Sequence, residues 1–185
     1  MRYIIVTRKR LVVIGLIILS VIAVGIFSTV GTKAVATAGS GRLIPIYSVD
    51  TGEEKVMAIS FDAAWGNEDT GQLIDILDEY QVKTTFFVVG SWVDKYPESV
   101  KALSDAGHEV MNHSGKHDHM PQLSREAMAS DISECNTKIA NITGRKPTLF
   151  RPPYGEYSND LIEAVTGLDM YCVQWDVDSL GTKLQ

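Results

Sequence analysis

Five short apolar segments recur at intervals of roughly 25 residues, and each of the first four is followed by a stretch with helical periodicity. This alternation limits the fold more than any other feature. Two parallel strands cannot be joined by a tight turn, so each pair needs a helical crossover, and such crossovers are right-handed. VMAISF (56–61), TTFFVV (84–89), Glu109–Met111, Thr148–Phe150 and Met170–Trp175 read as strands. Between them, Asn67 or Asp69 can cap a helix through Tyr80, and Pro97 opens one that ends at Gly107. Ser124 caps a long helix closed by Gly144, with Met128, Ile132, Cys135, Ile139 and Ile142 on one face. Asn159–Thr166 forms the last helix. The expected architecture is α/β, with βα units around a parallel sheet.

In such folds the chemistry gathers at the carboxyl ends of the strands. Asp62 follows the first strand, His113 and His117 the third, Arg151 the fourth, and Asp176 and Asp178 the fifth. Net charge is −6, which argues against a nucleic-acid partner. Five of the 17 basic residues lie in residues 1–40, where there is no acid, leaving 12 basic against 23 acidic residues in the remainder. Cys135 and Cys172 are too few for a disulfide framework and read as buried free thiols.

Residues 11–32 (LVVIGLIILSVIAVGIFSTVGT) carry no charge and are long enough to cross a bilayer as one helix. Arg8, Lys9 and Arg10 precede them, so the N-terminus should stay cytoplasmic and the remainder should be exported. A cleaved signal peptide is the alternative, with Ala34, Ala36 and Ala38 as small-residue sites, but its apolar region usually runs only about 7–15 residues. The expected organisation is a basic cytoplasmic segment (1–10), a single-pass signal anchor in the cell membrane (11–32), a linker (33–54) containing ATAGSG, and an extracytoplasmic domain (55–185).

His113, His117 and His119 lie within NHSGKHDHM (112–120). Imidazole is a common zinc ligand, yet an HxxxH pair alone is weak evidence, and a third ligand must come from elsewhere. His119 and Asp118 could each ligate or support a ligand.

Four stretches occur in order: ISFDAAWG (59–66), NHSGKH (112–117), FRPPYG (150–155) and QWDVDSL (174–180). Together they resemble the polysaccharide deacetylases of carbohydrate esterase family four. ISFDAAWGNED and the apolar N-terminus are most similar to the sporulation-associated branch of that family. The resemblance implies a distorted (β/α) barrel, incomplete at its C-terminal side, that removes N-acetyl groups from peptidoglycan or a chitin-like N-acetylglucosamine polymer. It implies that Asp62 is the general base and that Arg151 orients it. His113 and His117 would bind a divalent metal such as zinc, with Ser114 holding their loop. Tyr154 would lend a backbone N–H to the oxyanion, Pro153 and Trp175 would wall the sugar groove, and Asp178 would support the site. The chemistry suits these groups: a metal polarises the amide carbonyl, a carboxylate takes the water's proton, and donors stabilise the tetrahedral oxyanion.

The chain departs from the family pattern in three places. Ala63 stands where the resemblance places a carboxylate metal ligand, which weakens the expected site. The DxxDW-like stretch at Asp178 has Gly181 and Thr182 in place of its later Asp and Trp. The histidine expected to act as general acid, and the last βα units, lie beyond Gln185, and His108 does not replace that histidine. A sheet cut short in this way should expose the flanks of its first and last strands. The alternative function is a catalytically silent, glycan-binding or scaffolding protein of the envelope that keeps the groove.

Overall fold

The computed structural model describes residues 41–179. Five parallel strands lie side by side in chain order: β1 (Ser60–Ala63), β2 (Thr85–Val88), β3 (Glu109–Asn112), β4 (Leu149–Phe150) and β5 (Tyr171–Cys172). The crossovers are α1 (Thr70–Glu79), α2 (Gly90–Lys95), α3 (Pro97–Asp105), α4 (Arg125–Thr143) and α5 (Asn159–Gly167). The expected α/β class and parallel sheet are present. The expected anchor at 11–32 lies outside the described residues, and no helix among the described residues is long and apolar enough to cross a membrane.

α4 organises the helical layer because its buried stripe serves two clusters. Cys135 and Ile139 join Phe86, Val88, Val89, Trp92, Val93 and Leu103 against β1–β3. Ile132 and Met128, about one and two turns earlier, join Phe150, Leu161, Val165 and Met170. The Ser124 hydroxyl accepts from Ala127 N at 3.2 Å, and Gly144 closes the helix at φ +70°, as the sequence predicts. Both cysteines are buried free thiols, and burial pushes each up to about 12, so neither is a nucleophile at neutral pH.

Strand alternation then sorts the site from the core. Phe61 and Ala63 pack on the helix-side cluster, as do Phe86 and Val110, so Asp62 and Phe87 face the other way. Phe150 packs among the helices, which turns Arg151 to the inner side. Asn112 points toward α4, where its Nδ2 donates to Ile132 O (2.9 Å) and to Asn136 Oδ1 (2.8 Å). The next residue, His113, turns inward.

Three details differ from the sequence expectation. β1 begins at Ser60 rather than 56, because its ladder with β2 starts only at Ser60↔Thr85. The helix α2 was not expected; it follows β2 directly. The linker assigned to 33–54 is pinned in part. Ile46 pairs in parallel with Val173, its N–H donating to Cys172 O (2.9 Å) and its carbonyl accepting from Gln174 N (2.8 Å). Leu43 N donates to Asn159 Oδ1 at 2.9 Å and Arg42 to the Tyr157 hydroxyl at 3.0 Å. The outer edge of β5, expected to be bare, is therefore partly covered.

Two predictions follow from these contacts. Burial, reinforced by the Lys83 charge, holds His108 below the ordinary imidazole range. The folded state resists a proton that the unfolded chain accepts, so stability is full above about pH 6.5 and falls as the pH drops below it. The urea midpoint should decline from pH 7 to pH 5, and His108→Asn should make that decline shallower. Asn112→Ala should leave Ser114 N–H and Asn136 Oδ1 buried without their partner and lower stability by about 2–4 kcal/mol in urea titration.

Candidate functional site

The site forms where the loops after β1, β3 and β4 meet. Its centre is Arg151, 6% exposed, which acts through both ends. Its Nη1 donates to Asp62 Oδ1 at 2.8 Å, and its Nη2 donates to Ser60 Oγ at 2.8 Å. The guanidinium lies 4.0 Å over the Phe87 ring. The Arg151 carbonyl accepts a 2.7 Å hydrogen bond from His113 Nδ1. That bond fixes the tautomer, because a carbonyl can only accept. His113 Nε2 is then left with its lone pair, 3.6 Å from Asp62 Oδ2.

The histidine loop is held tightly. Ser114 N donates to Asn112 Oδ1 (2.7 Å), and His117 N donates to Ser114 Oγ (2.9 Å). Gly115 N donates to Asp131 Oδ1 on α4 at 2.7 Å, and burial raises that carboxyl above its usual range. Gly90 N and Ser91 N, at the start of α2, donate to Ser114 O and Gly115 O, each at 2.9 Å. Glycine at 90 permits this close approach, since a Cβ there would stand 3.1 Å from Gly115 Cα and O. Ser114 (φ +73°) and His117 (φ +61°) adopt the left-handed conformation, which these bonds sustain.

Burial holds both His113 and His117 below the ordinary imidazole range, and nearby Asp62 only partly opposes this. Both imidazoles are therefore neutral at pH 7, the form in which a ring nitrogen can ligate. The ring centroids lie 5.1 Å apart, and His117 Nδ1 is buried without a hydrogen-bond partner. A nitrogen lone pair facing a carboxylate oxygen at 3.6 Å is a repulsive arrangement that a cation between them relieves. These donors fit a divalent ion held by His113 and His117 with Asp62 at hand. The set is thin: among the described residues, no three His, Cys, Asp or Glu side chains cluster as a metal group. Ala63 packs on the apolar cluster and supplies nothing.

The remaining expected residues fall around this centre. Ser114 is buried beneath the loop. Tyr154 sits in a left-handed turn (φ +59°), its ring exposed and 4.6 Å from the His117 ring. Pro153 is buried, so it shapes that turn rather than presenting a face to solvent. Trp175 is half-buried and packs against Gly155, where an added Cβ would meet its ring at 3.0 Å. Asp178 is exposed near the end of the described region. His119 joins neither imidazole. It stacks on Tyr154 (4.3 Å, 12°) and contacts Glu156 Oε2 at 2.8 Å. Asn112 and Asp131 were missed in sequence. The only signal for Asp131 was its place beside Ile132, on the stripe that faces the loop.

Comparison with known proteins agrees with this geometry. The polysaccharide deacetylase family model matches residues 49–173. The peptidoglycan-N-acetylmuramic acid deacetylase PdaC of Bacillus subtilis (strain 168) is 38% identical over 125 residues, which is 68% of this chain and 26% of that protein. The solved structure of Bacillus subtilis PdaA, a family 4 carbohydrate esterase, superposes with TM-score 0.70 at 29% identity, covering 76% of this chain and 60% of that one. A CE4 family pseudoenzyme from Bacillus anthracis superposes with TM-score 0.68 at 31% identity, covering 69% and 46%. The chain spans between about a quarter and a half of the length of several curated relatives it matches. With the family model covering most of the chain and its motifs meeting in one site, the chain belongs to the polysaccharide deacetylase family.

Proposed function

We propose that this chain is a metal-assisted hydrolase that removes N-acetyl groups from cell-envelope glycan, peptidoglycan or an N-acetylglucosamine polymer. One observation carries this reading: Asp62 is held between the Arg151 guanidinium (2.8 Å) and His113 Nε2 (3.6 Å), on the inner face of the sheet. Arg151 occupies Oδ1, so Oδ2 is the oxygen placed to take a proton from an attacking water. His113 and His117 would hold the divalent ion, zinc by the chemistry of the donors. When bound, that ion supplies Lewis acidity to the acetyl carbonyl and to the water. Attack places negative charge on the former carbonyl oxygen. The backbone N–H of Tyr154, in a left-handed turn beside His117, would meet it. The C–N bond then breaks, and Asp62, carrying the water's proton, can return one to the departing amine. The charge-free 11–32 stretch supports a membrane anchor with the domain outside the cytoplasm. The ISFDAAWGNED likeness supports a role in sporulation.

A second reading is favoured by Ala63. With that residue against the apolar cluster, a metal would have two imidazoles and no dedicated carboxylate. A silent glycan-binding protein of the envelope would keep the groove and lose the reaction.

Acetate release from peptidoglycan separates the two. With zinc or cobalt added, the full-length protein should release acetate, and Asp62→Asn should lower the rate by about 10²–10⁴-fold. Retention on insoluble peptidoglycan without acetate release under any metal would establish the silent reading instead. Cobalt binding should weaken only as the pH drops below about 6.5, because protons compete for imidazoles whose affinity for them burial has reduced.

A further inference from the structure

Trp65 is 78% exposed, whereas Trp92 is buried and Trp175 half-buried. A ring of that size left in water forgoes the apolar burial that usually keeps tryptophan in place. The turn that carries it is nevertheless firmly built. Val89 N donates to Ala63 O at 3.1 Å, closing the end of β1. The buried Trp92 Nε1 donates to Gly66 O at 2.5 Å, and Gly66 adopts φ +65°. Asn67 Nδ2 donates to Ser99 Oγ at 3.0 Å. Trp65 is thus presented to solvent by a turn fixed on both sides.

The exposed ring also lies beside the chemistry. Its centroid is 4.9 Å from that of His117, at 61°. The same imidazole meets Tyr154, 54% exposed, at 4.6 Å and 73°. Trp65 follows β1 and Tyr154 follows β4, with two strands between them in the sheet. Two exposed aromatic rings from separate loops therefore border one candidate metal ligand. The C–H face of a pyranose is apolar while its hydroxyls stay wet, so it suits a ring that is held firmly but left exposed.

We propose that Trp65 is a sugar-stacking residue that seats a pyranose of a β-linked N-acetylhexosamine strand beside the sugar whose acetyl group faces Asp62 and His113. This rests on the glycan reading above and adds to it the residue that selects a chain over a single sugar. The test is calorimetric titration of the full-length protein, with zinc, against the N-acetylglucosamine tetramer, alongside retention on insoluble peptidoglycan. Trp65→Ala should weaken tetramer binding by about 3- to 30-fold, and Trp65→Phe should recover most of it. The thermal midpoint of Trp65→Ala should stay within about 2 °C of the parent's. In the parent, the tetramer should also shift tryptophan fluorescence, and Trp65→Phe should lose that shift. A parent that binds glycan while Trp65→Ala binds it equally well overturns the Trp65 assignment alone. A Trp65→Ala protein that fails to fold also overturns it, because the ring is then structural. A parent that binds no glycan overturns the assignment together with the function it rests on.

Discussion

The two-ended contact of Arg151 is the constraint on which the site depends. Its guanidinium aims the Asp62 carboxylate, while its carbonyl sets the tautomer of His113. The two are coupled because Arg151 N donates to Asn112 O at 3.0 Å, continuing the β3–β4 ladder past Asn112↔Phe150. Burying a guanidinium is costly unless its hydrogens find partners. Here Asp62, Ser60 and the Phe87 face meet most of that charge, while Arg151 Nε is buried without a hydrogen-bond partner. Replacing the arginine would therefore free the carboxylate, while the main-chain carbonyl would still set the His113 tautomer. The ladder extends this order to the histidine loop, since His113 N donates to Val88 O at 3.0 Å.

The loop itself is strained, and the helical layer stabilises it. Left-handed residues at 114 and 117 each cost of order 1 kcal/mol or more, so they persist only when the surroundings over-determine them. Asn112 and Asp131 provide that, tying the loop to α4 from two sides. α4 is in turn held by the two apolar clusters that share its buried face. A rigid site thus follows from a long helix whose stripe spans both halves of the core. This explains why a short sheet with a two-residue β4 still positions its side chains well.

How much of this was legible in sequence depends on the range of each interaction. α4 could be read because its cap, its stripe and its terminal glycine are local signals. α2 could not. It starts at Gly90 directly from the extended Val89, with no capping side chain, so its six residues carry no start signal. Residues 56–58 look like strand by composition, but the β1–β2 pairing begins only where the Ile59 carbonyl accepts from Thr85 N at 3.4 Å. The docking of Ile46 on β5 is a single parallel bridge between residues far apart in the chain, and no periodicity specifies it. Asp62, His113, His117 and Arg151 were legible because their motifs are specific. Their convergence was legible because each follows a strand of one parallel sheet. The partners that hold them, Asn112 and Asp131, were not, since a hydrogen bond across 16 or 24 residues leaves no pattern.

The replacement at 63 can be understood from the same alternation. Successive residues of a strand face opposite sides, so Asp62 turns toward Arg151 while Ala63 turns toward the apolar cluster. Ala63 is also the last rung of β1, paired with Val88, and its carbonyl accepts from Val89 N at 3.1 Å. Alanine keeps the ladder intact and gives up a ligand. On the proposed reading a metal would be left to His113 and His117, and Asp62 would serve either as a ligand or as the proton acceptor. On that reading the 2.8 Å hold of Arg151 on Asp62 Oδ1 is what keeps the carboxylate oriented as a base rather than as a ligand.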